Sequence, residues 1–183
     1  MPQAYRISNP WAVHFETCTI TDWIDIFTRP VFADIVLDSL RYCQSNKGLQ
    51  IYAWVLMTNH IHLIVSSDKT PLNDILRDLK KFTAKNIYEE LLNNKYSESR
   101  RDWMLRTFQA RGMGNAENSA FQIWQPGFHP VELKNRDIAE QRLNYLHDNP
   151  VRAGFVRQAW DYRYSSAIDY MVDRPGLLPI VIL

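Results

Sequence analysis

Two apolar runs rich in β-branched and aromatic residues, Leu49 to Met57 and His60 to Val65, are separated only by Thr58 and Asn59. Strands with so short a joint form a hairpin, and this hairpin restricts the fold more than any other feature. A helical pattern flanks it on each side. Before it, Val31, Phe32, Ile35, Val36, Leu37, Leu40 and Tyr42 follow Pro30 at helical spacing, and the pattern stops at Asn46-Lys47-Gly48. After it, Pro71 opens a second helix whose buried stripe is Leu72, Ile75, Leu76, Leu79, Phe82 and Ile87. Upstream of all three, Trp11 to Ile20 alternates as a half-buried strand.

The remainder is less regular. Between Asn93 and Ala120 the composition turns polar, and the segment reads as an excursion from the domain with a short helix around Trp103, Met104, Leu105 and Phe108. Phe121 to Val131 is an aromatic, proline-punctuated extended piece. A last helix is predicted from Arg136 to Asn149, with Asp137 at its positive end and Pro150 closing it. Gly176 to Leu183 reads as an edge strand. The order strand, helix, strand, strand, helix, then strand and helix is that of an α+β, ferredoxin-like split βαβ domain, with an antiparallel sheet and its helices on one face.

Composition bounds the function classes. The 183 residues fit one domain spanning 1–183, and 46% hydrophobic with 22% charged residues exclude disordered and coiled-coil classes. With 21 basic against 20 acidic residues, no global field draws the chain to nucleic acid, so any such contact comes from local patches. Cys18 and Cys43 are too few for a disulfide framework and lack metal-type spacing. The start of the chain has no signal-peptide pattern, and no apolar run is long enough to span a bilayer. These features predict a cytoplasmic protein with no membrane partner.

The sharpest chemical signal is Asn59-His60-Ile61-His62 at the head of the second hairpin strand. Side chains at i and i+2 of a strand share a face roughly 7 Å apart, so His60 and His62 can reach one metal ion. Two imidazoles make an incomplete site, and ordinary strand histidines fit the tripeptide as well. A second signal is Tyr145 and Asn149 on the last helix, four apart and therefore on one face. That pairing suits a nucleophile beside a metal ligand, and it equally suits an amphipathic helix edge. His147 and Asp148 point elsewhere.

The strand motif NHIHLIV together with WQPGFHPVEL, YLHDNPVRAGFV and YSSAIDY resembles the REP-associated tyrosine transposases. These belong to the IS200-like superfamily of single-strand transposases, which combine one catalytic tyrosine with a His-hydrophobe-His (HUH) motif. The resemblance extends from the first strand to about Tyr170 and implies an HUH-endonuclease fold. It implies that His60 and His62 are the metal-binding pair, that Asn149 is a third, amide-type ligand, and that Tyr145 is the catalytic tyrosine. Tyr88, on the helix after the histidine strand, is the nearest rival nucleophile. The implied cofactor is Mg²⁺ or Mn²⁺, and the implied partner is single-stranded or hairpin DNA, bound by a monomer or a homodimer. The excursion at 93–120 has no counterpart in the pattern.

The implied reaction is metal-dependent cleavage and strand transfer through a 5′-phosphotyrosine. A free phenol has a pKa near ~10 and needs deprotonation or a nearby cation to attack. The link conserves the bond energy, so strands are cut and rejoined without ATP. For DNA contact, Arg77, Lys81 and Lys85 with Lys80 form one basic stripe, and Arg152 and Arg157 another; a merely solvated helix face explains the first as well. Trp160, Tyr162 and Tyr164 suit either base stacking or core packing. Two other readings compete: a catalytically idle hairpin-binding module, and a metal-dependent hydrolase using water.

Overall fold

The hairpin becomes strands β2 (Leu49–Leu56) and β3 (His60–Ser67), closed by Thr58-Asn59, in the computed structural model of the chain. It describes residues 7–93, 98–114, 119–127, 129–172 and 174–183. The expected excursion therefore falls partly outside the described residues at 94–97 and 115–118, as does Phe128 of the extended piece. Strand β1 (His14–Thr19) pairs antiparallel with β3, and β4 (Val131–Glu132) pairs antiparallel with β1. The spatial order is β2-β3-β1-β4. With β3 inserted between β1 and β2, this is the split βαβ arrangement of a ferredoxin-like antiparallel sheet.

Helix α1 (Pro30–Lys47) starts with proline at its first turn and ends at Gly48, whose φ of 74° is the left-handed geometry that closes a helix. A Cβ at that glycine would meet the backbone nitrogen of Lys69 at 2.9 Å. Helix α2 (Leu72–Asn93) follows β3, and α1 and α2 pack together on one face of the sheet. That face is built by Cys18, Ile20, Ile51, Trp54, Ile61, Leu63 and Val65, all buried.

The second face corrects one expectation. Helix α4 (Arg136–Arg152) lies across it, so the helices do not all share one side. Phe15, Ala53, Val55 and Ile64 point there and bury Leu146 of α4. The cause is legible in β2 and β3, which carry apolar residues on both sides and need cover on both. Full burial of Leu146 contributes about 2–3 kcal/mol.

The end of α4 and the tail also differ from the expectation. Pro150 does not end α4, which runs on to Arg152. A proline in the last turn costs one backbone bond, while Pro150 itself is buried. The helix closes instead at Gly154 (φ 76°), where Gly154 N–H bonds Val151 O and Phe155 N–H bonds Pro150 O, the double bond of a glycine C-cap. Helix α3 (Arg101–Met113) of the supposed excursion buries Met104, Leu105 and Phe108 in the core shared with α1 and α2. The tail after Gly176 forms no strand; Val181 N–H bonds Ile51 O, and Leu178 is buried. With Leu56 N–H on Tyr164 O and Ser166 N–H on Trp54 O, these contacts cover the open edge of β2. A short helix, α5 (Ala167–Met171), lies between them. Among the described residues, no helix is long and apolar enough to cross a membrane.

Candidate active site

Antiparallel register puts residues directly opposite one another on the same face. Thr17 faces His62 and Thr19 faces His60, so both histidines stand on the side covered by α4. Their rings lie 4.7 Å apart between centroids. Tyr145 of α4 meets the ring of His62 edge-on at 5.5 Å and that of Phe15 at 6.1 Å. Phe15 in turn stacks on His62 at 5.2 Å. The two sequence motifs, far apart in the chain, thus meet in one cluster.

Each imidazole is oriented from behind. The Asn59 amide nitrogen donates to Trp23 O and to Asp25 Oδ1, which assigns its oxygen to the other side. That oxygen, 2.7 Å from Nδ1 of His60, can only accept, so Nδ1 carries the proton and Nε2 presents its lone pair. Nδ1 of His62 is 2.8 Å from Thr17 Oγ1. Nε2 of His62 is buried and has no hydrogen-bond partner among the described residues. An orphaned ring nitrogen in a 5% exposed side chain is the position that a ligand completes. Burial lowers the His60 pKa, and burial followed by the charges of His60 and Arg142 pushes that of His62 down to about 3. Both rings are therefore neutral near pH 7, as metal ligation requires. The donor set fits a divalent ion.

Asn149 is half-buried on α4, one turn beyond Tyr145 and on its face. No group of three or more His, Cys, Asp or Glu that could hold a metal occurs among the described residues. An ion on the two histidines would therefore take its further ligands from an amide, water or substrate.

Cations flank the tyrosine. The guanidinium of Arg152 lies 5.5 Å from the Tyr145 ring centroid, and that of Arg142 lies 5.2 Å from Phe15. Arg142, Tyr145, Asn149 and Arg152 follow the spacing of one helical stripe, a signal that could have found Arg142 from the sequence. Thr17 and Phe15 carried no such signal, since their place depends on the register of β1 against β3.

Other expected residues lie elsewhere. Arg77, Lys81 and Lys85 are on α2, across the sheet from the histidines. Arg77 is tied to Asp74 and Asp78, and Lys85 to Glu89; Lys81 is exposed. Lys80 is not on the open stripe: its Nζ turns inward and donates to the carbonyls of Gln125 and Gly127, fastening the segment before β4. Arg157 is exposed beyond α4. Tyr88 stacks on Phe121 at 3.9 Å and accepts from Gln109, on the α2 side of the sheet, which separates it from the histidines. Tyr162 packs into the α4-side core and donates to Leu56 O, while Trp160 is exposed. His147 is buried against Ser166 Oγ.

Paired histidines on a ferredoxin-like sheet, under a helix that carries a tyrosine, make up the candidate site. The IS200-like transposase family model matches residues 23–122, more than half of the chain, and the chain belongs to that family. The match includes both histidines and ends before α4. Among solved structures, a REP-associated tyrosine transposase bound to a REP hairpin superposes with a TM-score of 0.66 at 20% identity, covering 98% of this chain and 89% of that one. At that identity the likeness is one of fold. A candidate transposase of Deinococcus radiodurans R1 gives a TM-score of 0.45 at 16% identity, covering 79% and 95% of the two chains, too low to carry an argument. No curated protein matches the chain.

Proposed function

We propose that this transposase cleaves and rejoins single-stranded DNA through a phosphotyrosine on Tyr145, beside a divalent ion held by His60, His62 and Asn149. The observation that carries the reading is the contact of the Tyr145 ring with His62, whose buried Nε2 has no partner within the described residues. When bound, Mg²⁺ or Mn²⁺ supplies Lewis-acid polarisation of the scissile phosphate. The remaining work falls to the chain. His60 and His62 offer neutral nitrogen donors, fixed in orientation by Asn59 and Thr17. Tyr145 Oη attacks phosphorus in line; an O–P bond forms, the phenol proton is lost, and the departing 3′-oxygen leaves as a hydroxyl. The Arg152 guanidinium, over the tyrosine ring, is placed to stabilise the charge on the phosphate. A later attack by a 3′-hydroxyl reverses the step and frees Tyr145.

The bound hairpin of the REP-associated neighbour supports hairpin DNA as the recognised form. Exposed Lys81, Lys85 and Arg157 are candidate contacts to its phosphates, and Arg77 adds to them only by loosening its hold on Asp74 and Asp78. The test is incubation with a single-stranded oligonucleotide from the flank of the gene, with Mg²⁺ or Mn²⁺. A denaturation-resistant adduct is expected, abolished by Tyr145→Phe, by EDTA, and by His60→Ala or His62→Ala. An adduct that survives Tyr145→Phe removes Tyr145 from the nucleophile's role, and strand cleavage without an adduct favours a hydrolase.

A further inference from the structure

The helix of the supposed excursion comes to lie beside the turn that carries Trp23. Trp103, Arg106, Thr107, Ala110 and Arg111 of α3 line, together with Asp22, an open groove of about 490 Å³. Trp23, the next residue after the groove's Asp22, stands edge-on to His60 at 5.8 Å between centroids and so links this turn to the histidines.

Two observations go beyond packing. Trp103 is 49% exposed and Trp23 58% exposed, while Met104, Leu105 and Phe108 on the same α3 are buried. Asp22 (φ 54°) and Trp23 (φ 56°) are also consecutive left-handed residues, the two non-glycine cases among the described residues. For bulky L-residues this geometry is disfavoured and persists only where the surroundings enforce it. Here they do. Arg111 grips the Asp22 carboxylate with Nε and Nη2, each at 2.9 Å, Asn59 donates to Trp23 O, and Thr21 N–H bonds Ile123 O. Strain is thus spent on holding an indole in solvent next to a candidate metal ligand.

We infer that the groove and the turn beside it bind the single strand flanking the cleaved phosphodiester, with Trp103 and Trp23 stacking bases and Arg106 meeting phosphate. The inference rests on the strand-transfer reading, to whose His60 the turn at Asp22 is linked through Trp23. The charge fits: two guanidinium groups face one carboxylate, and Arg106 has no ion pair among the described residues. Exposed aromatic faces interleaved with arginine suit a single strand, whose bases are free to stack, whereas a duplex hides them.

The test measures binding of a fluorescently labelled single-stranded oligonucleotide to the full chain by anisotropy. The Tyr145→Phe background with chelator removes the covalent step. Trp103→Ala and Trp23→Ala should each weaken binding by about tenfold, the loss of one stacked base, while Trp103→Phe retains most of it. Arg106→Glu should weaken binding and flatten its salt dependence. A fully abasic strand should bind the parent and Trp103→Ala alike. If Trp103→Ala and Arg106→Glu both bind within about twofold of the parent, the groove is not a strand site. Adduct formation by the unaltered chain is scored separately: its absence overturns the strand-transfer reading and leaves the binding result to stand.

Discussion

His60 and Asn59 are adjacent in the chain, and the second fixes the ring of the first. An imidazole can ligate through either nitrogen, and the Asn59 oxygen selects Nε2 by holding the proton on Nδ1. The amide is itself locked by Trp23 O and Asp25 Oδ1, and Asp25 also accepts from Thr58 Oγ1. Asn59→Ala removes this selection without touching the core. It should lower metal-dependent cleavage and metal affinity by about tenfold or more, the usual effect of losing a ligand's hydrogen-bond partner. Metal titration of adduct formation, with calorimetry of metal binding, checks it; an unchanged metal midpoint means that the ring orients itself unaided. The pair His60 and His62 was legible in the sequence because strand periodicity is short-range. The hold on each ring was not legible, since Thr17 reaches His62 across 45 positions of chain.

Helix α4 carries Arg142, Tyr145, Asn149 and Arg152 on one stripe, and Leu146 fastens that stripe over β2 and β3. Its start was legible: Asn135 accepts from Ile138 N–H, and Asp137 sits in the first turn. Its end was not. Pro150 signals a stop locally, but burial of the ring and the bonds closing at Gly154 outweigh that local preference. Gly154 is therefore the residue that ends the helix and sets Arg152 at its rim. A Cβ there would meet nothing within 4 Å, so the cost of Gly154→Ala is purely conformational. The variant should lose about 1 kcal/mol in denaturant unfolding. An unchanged midpoint would show that the φ of 76° is not enforced in solution. The placement of α4 on the second face of the sheet has the same character: the two-sided apolar pattern of β2 and β3 demands a cover, but nothing local names which helix supplies it.

At the scale of the whole molecule, one layer of sheet separates the candidate active site from a core that holds an ionisable residue with no part in it. Glu16 lies on β1 opposite Leu63, on the α1–α2 face; it is fully buried, and neither carboxylate oxygen has a hydrogen-bond partner within the described residues. Burial raises its pKa to about 8, against the opposing attraction of Lys80. The sequence hides this, since alternation along β1 shows where a side chain points and not whether its face is covered. The folded state keeps the Glu16 proton at pH values where the unfolded chain, with an ordinary carboxyl, has released it. Unfolding therefore releases a proton between about pH 4.5 and 8, and stability must fall as pH rises through that window. Below it the contribution is fully present; above it the loss is complete. Glu16→Gln keeps the shape and removes the titration. Its stability relative to the parent should be lowest near pH 4 and should increase by roughly 4 kcal/mol by pH 8.5, levelling off above that. Urea unfolding at a series of pH values measures the difference directly. A difference independent of pH would show that Glu16 does not change its proton on folding, and a variant that loses ground as pH rises would mean that attraction to Lys80 outweighs burial.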